Sequence, residues 1–439
     1  MRITYPYETD RLGAVRIFGV QHIFELDSGP ADGIEGTRQQ IGSTVAHVPP
    51  GPILEVQRRM AVVVPCRDER LKVLEGVLSG IPHECLVILV SNSSRDPVDR
   101  FMMERDSMAR FCRFAERDAV IVHQRDPGVG RAFAAAGLPE LAGDAGLVPH
   151  GKGEGMIIGI ALARLAGKRF VGFVDADNYV PGAVHEYVRS YAADFHLARS
   201  RFSMVRINWH SKPKIVDGRL FFSRSGRVSE ITNRFLNSLI AYHTGFGTEA
   251  IRTGNAGDHA LSMDLAVRLR LASGFAIEPF ELLEVLERFG GVEPVTDREV
   301  MRDGVEVYQV QTRNPHFHED RSDRHIDEMQ LSALNSIYHS PVCPPQLKDE
   351  IETFVRDGDG LPGDVPPAGE RIYPALRTMD PEVFLTVLYR EAETFEQVLH
   401  LTPRGDRLAP PIPPPHLVEV DTDGLQVPGT TGDVDQTTP

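Results

Sequence analysis

The clearest pattern in the chain begins at residue 60, where short apolar runs alternate with stretches of helical periodicity. Met60–Val64 is apolar and stops at Pro65, which reads as a buried strand leaving its sheet. Leu71, Leu74, Val77 and Leu78 then recur at helical spacing. "CLVILVSNSS" (85–94) and "AVIVHQRD" (119–126) each read as a strand running into a polar loop. "GKGEGMIIGIALARLAGKR" (151–169) is a glycine-rich entry to a helix, and "FVGFVDAD" (170–177) is a fourth strand. "SMVRINW" (203–209) and "VEVYQVQ" (305–311) read as further strands flanking a mostly helical middle.

Strand, helix and strand in repetition predict an α/β fold, with a mostly parallel central sheet and helices on both faces. Ligands on such sheets bind at the carboxyl ends of the strands. Here those ends carry Pro65-Cys66-Arg67-Asp68-Glu69, Ser91-Asn92-Ser93-Ser94 and Asp175-Ala176-Asp177. Residues 1–59 contain "GPADGIEG" and "VPPGP" and show no clear regular element; they are expected to pack on the core. Within them "VRIFGVQHIFEL" (15–26) fits a strand or a short helix. Residues 60–210 form the α/β unit and 211–340 complete it. After 341, "PVCPPQ" and "GLPGDVPPAGER" mark linkers in a helical extension reaching residue 403. In it "DPEVFLTVLYREAETFEQVLHL" (380–401) predicts a helix capped by Asp380, with Pro381 in its first turn. The Pro-, Gly- and Thr-rich tail 404–439 is expected to be disordered.

Composition narrows the class. The 439 residues are 41% hydrophobic and 25% charged, as in soluble globular proteins. A net charge of -15 argues against binding nucleic acid through a basic surface. Positive charge for an anionic ligand must therefore be gathered locally. Four cysteines without C-x-x-C spacing, and no signal peptide, point to a reducing cytoplasm. No apolar run reaches the roughly 18–20 residues of a membrane span.

Asp175 and Asp177 fall on the same side of an extended segment, because side chains alternate with period two. They could cap a turn, hold a Mg²⁺ or Mn²⁺ ion that bridges nucleotide phosphates, or supply a nucleophile. Three earlier strands, and Asn178-Tyr179 immediately after, argue against the nucleophile of a phosphohydrolase. "TRNPHFHED" (312–320) offers His316 and His318 two apart; His318 is preferred as a further metal ligand, with His316 in reserve. No H-E-x-x-H motif is present for a zinc hydrolase. "GKGEGM" (151–156) puts backbone N–H groups and Lys152 at a helix start, either an anion site or a flexible cap. Arg224, Arg227 and Arg234, with Ser223, Ser225, Ser229 and Thr232, form either a solvated face or a site for a small anion.

"AVVVPCRDERLKVLEGVLSGIPHE", "SNSS", "GKGEGM", "VGFVDADNYVPGAV", "GRVSEITNR", "GNAGDHA", "SGFAIEP" and "TRNPHFHE" together resemble the mannosyl-3-phosphoglycerate synthases. These are retaining glycosyltransferases of the GT-A fold, and the likeness runs over roughly residues 1–340. It implies transfer of mannose from GDP-mannose to the 2-hydroxyl of 3-phosphoglycerate, a Mg²⁺ or Mn²⁺ cofactor and a homodimer. By resemblance Pro65, Arg67 and Glu69 contact the nucleotide, with Ser91 and Lys152 nearby. Asp175 faces the ribose or metal, and Asp177 binds the metal; these two and Lys152 are the expected catalytic groups. Gly226, Arg227, Val228 and Ser229 form the phosphoglycerate site, joined by Asn314, while Glu278 holds sugar hydroxyls. Cys66 and Asp68 stand where the family pattern has Thr and Asn. A sister transferase using GDP-glucose or UDP-glucose fits the same residues.

Overall fold

The computed structural model describes residues 1–27, 44–143, 145–216, 219–223, 226–294, 296–317, 323–357, 369–399 and 410–415. Numbered from the start of the parallel core, its strands are β1 (Met60–Cys66), β2 (Leu86–Ser91), β3 (Ala119–His123), β4 (Phe170–Phe173), β5 (Phe202–Asn208), β6 (His259–Ser262) and β7 (Val305–Gln311). They lie in the order β3-β2-β1-β4-β6-β5-β7. All run parallel except β6, which is antiparallel to both of its neighbours. The chain steps from β1 to β2 on one side and returns to β4 on the other, so a crevice opens between β1 and β4.

The helices of this core are α1 (Leu71–Gly80), α2 (Arg100–Phe114), α3 (Pro127–Ala135), α4 (Lys152–Leu165), α5 (Pro181–Leu197), α6 (Arg227–Thr244) and α7 (Ile277–Phe289). Both sheet faces are covered, which is why the strands read as unbroken apolar runs. Ala61 and Val63 of β1 join the apolar cluster under α4, α6 and α7. Val62 and Val64 face the opposite cluster, under α1, α2 and α5. The expected α/β architecture is the one observed.

Three regions depart from the reading of the sequence. Residues 15–26 form two strands, Val15–Phe18 and Gln21–Glu25, which continue the sheet beside β7. "VPPGP", which gave no element, opens the helix Pro50–Arg58, because proline is tolerated in a first turn. Helix α8 (Asp323–His339) ends just before the extension, which carries α9 (Pro345–Asp357) and α10 (Pro381–Glu391). The expected helix 380–401 ends ten residues early, at Glu391. There Thr394 donates its backbone N–H (2.6 Å) and hydroxyl (2.5 Å) to Asp126 Oδ2. That capture turns the chain into β8 (Glu396–Val398), antiparallel along β3. An edge strand and a buried carboxylate thus override local helical periodicity. Most of the tail 404–439 lies outside the described residues.

Helix α10 is part of the core: Phe384 is fully buried and meets Phe133 of α3 at 4.8 Å between ring centroids. Phe384→Ala is expected to cost about 3–5 kcal/mol of stability, read as a lower urea midpoint. An unchanged midpoint would show the extension to be dispensable to the fold.

Candidate active site

The carboxyl ends of β1, β2 and β4 open onto a cleft of about 640 Å³. Its described lining sets six carboxylates (Asp68, Glu69, Asp175, Asp177, Glu278 and Glu328) against three cations (Arg67, Lys152 and Lys212).

Lys152 is the first residue of α4, where the glycine-rich stretch enters the helix. Its Nζ is ion-paired with Asp175 and lies 2.6 Å from Glu278 Oε1. The lysine side chain is 15% exposed and the glutamate 2%. Burial works against the ammonium, but the charges of Asp175 and Glu278 outweigh it and hold the Lys152 pKa above the ordinary lysine value. Glu278 enters from α7, whose start is fixed by Arg206. That guanidinium is fully buried and donates to the carbonyls of Glu278 (2.9 Å), Thr253 (2.9 Å) and Gly254 (3.2 Å). The loop before β6 presses on the ion pair at Gly257. A Cβ there would lie 2.5 Å from Asp175 Oδ2 and 2.9 Å from Lys152 Nζ.

β4 ends at Phe173, and a turn follows through Ala176 and Asp177. The two aspartates therefore sit at a turn and not along an extended segment, although both line the cleft. The cause is visible in the backbone: Asp175 N–H donates to Asp258 Oδ1 at 3.1 Å instead of to a neighbouring strand. Asp258 is fully buried and also takes Trp209 Nε1–H at 2.8 Å. Burial, then the nearby charge of Asp175, push its carboxyl up to about 8. His316 Nδ1 lies 3.6 Å from Asp258 Oδ2 and 3.5 Å from Asn178 Nδ2, and its ring stacks on Trp209 at 4.6 Å.

On the side of β1 and β2 the loops are tied by Glu104 of α2, which is fully buried. It accepts the hydroxyls of Ser91 and Ser93, each at 2.6 Å. Ser93 Oγ in turn accepts Asp68 N–H at 2.7 Å. Asp68 adopts a left-handed φ of 58°, which aspartate tolerates better than most residues. Its carboxylate accepts Ser94 N–H at 3.0 Å and so locks the two strand ends together. Asn92 Oδ1 lies 2.7 Å from His150 Nδ1, and both residues face the cleft.

Of the residues singled out from sequence, Pro65, Arg67, Glu69, Lys152, Asp175, Asp177, Gly226, Val228, Ser229, Glu278 and His316 all line this cleft. Ser91 does not: it is fully buried and bound to Glu104, and Val90 and Asn92 form the wall there. Asn314 is also outside the lining, its backbone N–H (2.9 Å) and Nδ2 (2.8 Å) both given to Glu186 Oε2. Arg227 opens α6, but its side chain and the whole of His318 lie outside the described part of the structure. Sequence reasoning assigned no role to Asp258, Trp209, Lys212, Glu104 or Arg206. Signals existed for two of them: Asp258 sits in "GNAGDHA", and Trp209 is the single tryptophan of the chain.

The family model described as mannosyl-3-phosphoglycerate synthase (osmo_MPGsynth) matches residues 5–388. The chain belongs to the mannosyl-3-phosphoglycerate synthase family. A mannosyl-3-phosphoglycerate synthase of Pyrococcus furiosus is 41% identical over 396 residues, covering 90% of this chain and 98% of the relative. One from Aeropyrum pernix is 38% identical over 352 residues, covering 80% of this chain and 88% of the relative. Among solved structures, glucosyl-3-phosphoglycerate synthase from Mycobacterium tuberculosis, in complex with Mn²⁺, UDP and phosphoglyceric acid, is 18% identical with a TM-score of 0.46; the match covers 75% of this chain and 95% of that one.

In this mannosyl-3-phosphoglycerate synthase family member the donor set suits a hard divalent cation. Among the described lining residues carboxylates outnumber cations, and imidazole stands beside them. Among the described residues no group of three or more His, Cys, Asp or Glu is spaced to hold a metal. An ion that takes part of its shell from a diphosphate needs fewer protein ligands than that.

Gly257→Ala tests the packed ion pair. The added methyl should displace Asp175 and Lys152 and lower transferase activity on the order of a hundredfold. The melting temperature should fall as well, because displacing Lys152 loosens its pairing with the buried Glu278. Parent-like activity would mean that the Lys152–Asp175 geometry is not critical.

Proposed function

We propose that this chain is a retaining hexosyltransferase that moves mannose from GDP-mannose to the 2-hydroxyl of 3-phosphoglycerate. The product would be mannosyl-3-phosphoglycerate, the precursor of the compatible solute mannosylglycerate. The observation that carries the reading is Lys152 held between Asp175 and Glu278 on the cleft wall, in a chain 41% identical to a curated synthase.

The chemistry follows from these residues. The bond between the sugar's anomeric carbon and the diphosphate oxygen breaks, and negative charge develops on the leaving diphosphate. Lys152 faces that charge as a fully protonated ammonium, already oriented by two carboxylates. The opposite change occurs on the sugar, which becomes oxocarbenium-like, and Glu278 supplies an apposed carboxylate that also reaches sugar hydroxyls. Asp177, with His316 or His318, would hold a Mg²⁺ or Mn²⁺ ion, which neutralises diphosphate charge. Retention follows if the acceptor hydroxyl enters on the face the diphosphate leaves. The new carbon–oxygen bond then forms there, and the hydroxyl proton passes to a diphosphate oxygen. Arg227, Ser229 and the N-terminus of α6 hold the acceptor phosphate for that attack. Arg67, Glu69 and Pro65 meet the nucleotide on the opposite wall.

The whole protein fits a compact cytoplasmic enzyme acting as a homodimer. All four cysteines are free and buried, which supports a reducing compartment. Among the described residues no helix is long and apolar enough to cross a membrane.

The direct test is incubation with GDP-mannose, 3-phosphoglycerate and Mg²⁺, followed by GDP release and mannosyl-3-phosphoglycerate formation. Faster turnover with GDP-glucose or UDP-glucose would assign a sister activity. Phosphate release from mannosyl-3-phosphoglycerate without any nucleotide would sink the transferase reading. Asp177→Ala should reduce transfer on the order of a thousandfold with the fold intact. Arg227→Ala should raise KM for phosphoglycerate about tenfold or more and leave KM for GDP-mannose unchanged. The reverse pattern would exchange the donor and acceptor halves of the cleft.

A further inference from the structure

Lys212 opens the strand Lys212–Val216, which pairs with Arg219–Ser223 in a hairpin beside the cleft. Its Nζ lies 3.8 Å from the centroid of the Trp209 ring, a cation–π contact. Among the described residues it makes no ion pair, whereas Lys152 is neutralised by two carboxylates. It also stands at the beginning of α6: a Cβ on Gly226 would be 3.6 Å from Lys212 Nζ. Burial draws its pKa below the ordinary lysine value, against the pull of Glu278, Asp175, Asp258 and Asp177. A desolvated ammonium of this kind gains from an anion that is brought to it.

We propose that Lys212 receives the acceptor's carboxylate and so selects an α-hydroxy carboxylate over a simple polyol phosphate. The inference rests on the phosphoglycerate reading above and deepens it. 3-Phosphoglycerate has a phosphate at one end and a carboxylate at the other, and the reacting hydroxyl is on the carbon next to the carboxylate. The α6 N-terminus and Ser229 suit the phosphate. The carboxylate would then face a cleft lined by six others, which repels it unless a cation intervenes. Lys212 is the lining cation that sits between α6 and Trp209, and Trp209 in turn is bonded to Asp258 beside Asp175. Gripping the carboxylate there fixes the adjacent hydroxyl over the reaction centre.

The full chain carries its own reporter, because Trp209 is its single tryptophan. Binding of 3-phosphoglycerate and of glycerol 3-phosphate, which lacks the carboxylate, is titrated by tryptophan fluorescence and by calorimetry with GDP and Mg²⁺ present. Lys212→Met should weaken phosphoglycerate about tenfold or more and leave glycerol 3-phosphate unchanged, abolishing the preference. Lys212→Arg should retain it. In turnover, Lys212→Met should raise KM for phosphoglycerate and not that for the donor. Equal weakening of both ligands places Lys212 on the phosphate, and a rise in donor KM places it on the diphosphate; either overturns the proposal, as does no change at all. Wild-type protein that binds neither ligand defeats the functional reading itself, and this inference with it.

Discussion

One buried ammonium organises the cleft. Lys152 brings together three segments far apart in the chain: the start of α4, the exit of β4 and the start of α7. Each arrives on its own support. Gly257 leaves room for the ion pair, Asp258 fixes the backbone of Asp175, and Arg206 anchors the carbonyl of Glu278. The arrangement is unforgiving, since Glu278 is almost fully buried and would be left as an uncompensated charge without its partner. A preset, largely buried ammonium of this sort is suited to meeting charge that appears only as a bond breaks.

The same cleft answers the question posed by net charge. A chain at -15 cannot attract an anionic sugar nucleotide and an anionic acceptor through its general field. It places individual cations instead, and holds Lys152 between two carboxylates that keep it charged and oriented. Among the described lining residues carboxylates outnumber cations, which suits a divalent ion. The acidity of the cleft and the call for a divalent ion are two sides of one electrostatic constraint. Trp209 extends the logic by offering a ring face to Lys212, a way of holding a cation in place without neutralising it.

The central strands were legible because both sheet faces are buried, which leaves apolar runs that punctuation by Pro65, "SNSS" and "DAD" makes unmistakable. The cleft residues at strand ends were legible for the same reason: topology places the carboxyl ends of parallel strands together. Ser91 illustrates where that argument stops. Side chains alternate at a strand end, and which one faces the ligand depends on Glu104 arriving from α2. Asn314 was likewise claimed by Glu186, a partner 128 residues away in sequence. Arg206 reads as an ordinary strand residue, yet it is buried whole against carbonyls of distant loops.

The N- and C-terminal regions show the other limit. Residues 15–26 have no strong period of their own and become strands because β7 offers an open edge. The stretch after Glu391 has helical periodicity and becomes a strand because β3 and Asp126 capture it. The amino-acid order alone settled the alternation of strands and helices, the polar strand ends and the kinds of group available for catalysis, because these depend on local pattern and composition. Pairings between charges, the choice of which side chain faces the cleft, and the fate of edge segments were decided only in three dimensions. They depend on burial and on partners that no local window contains.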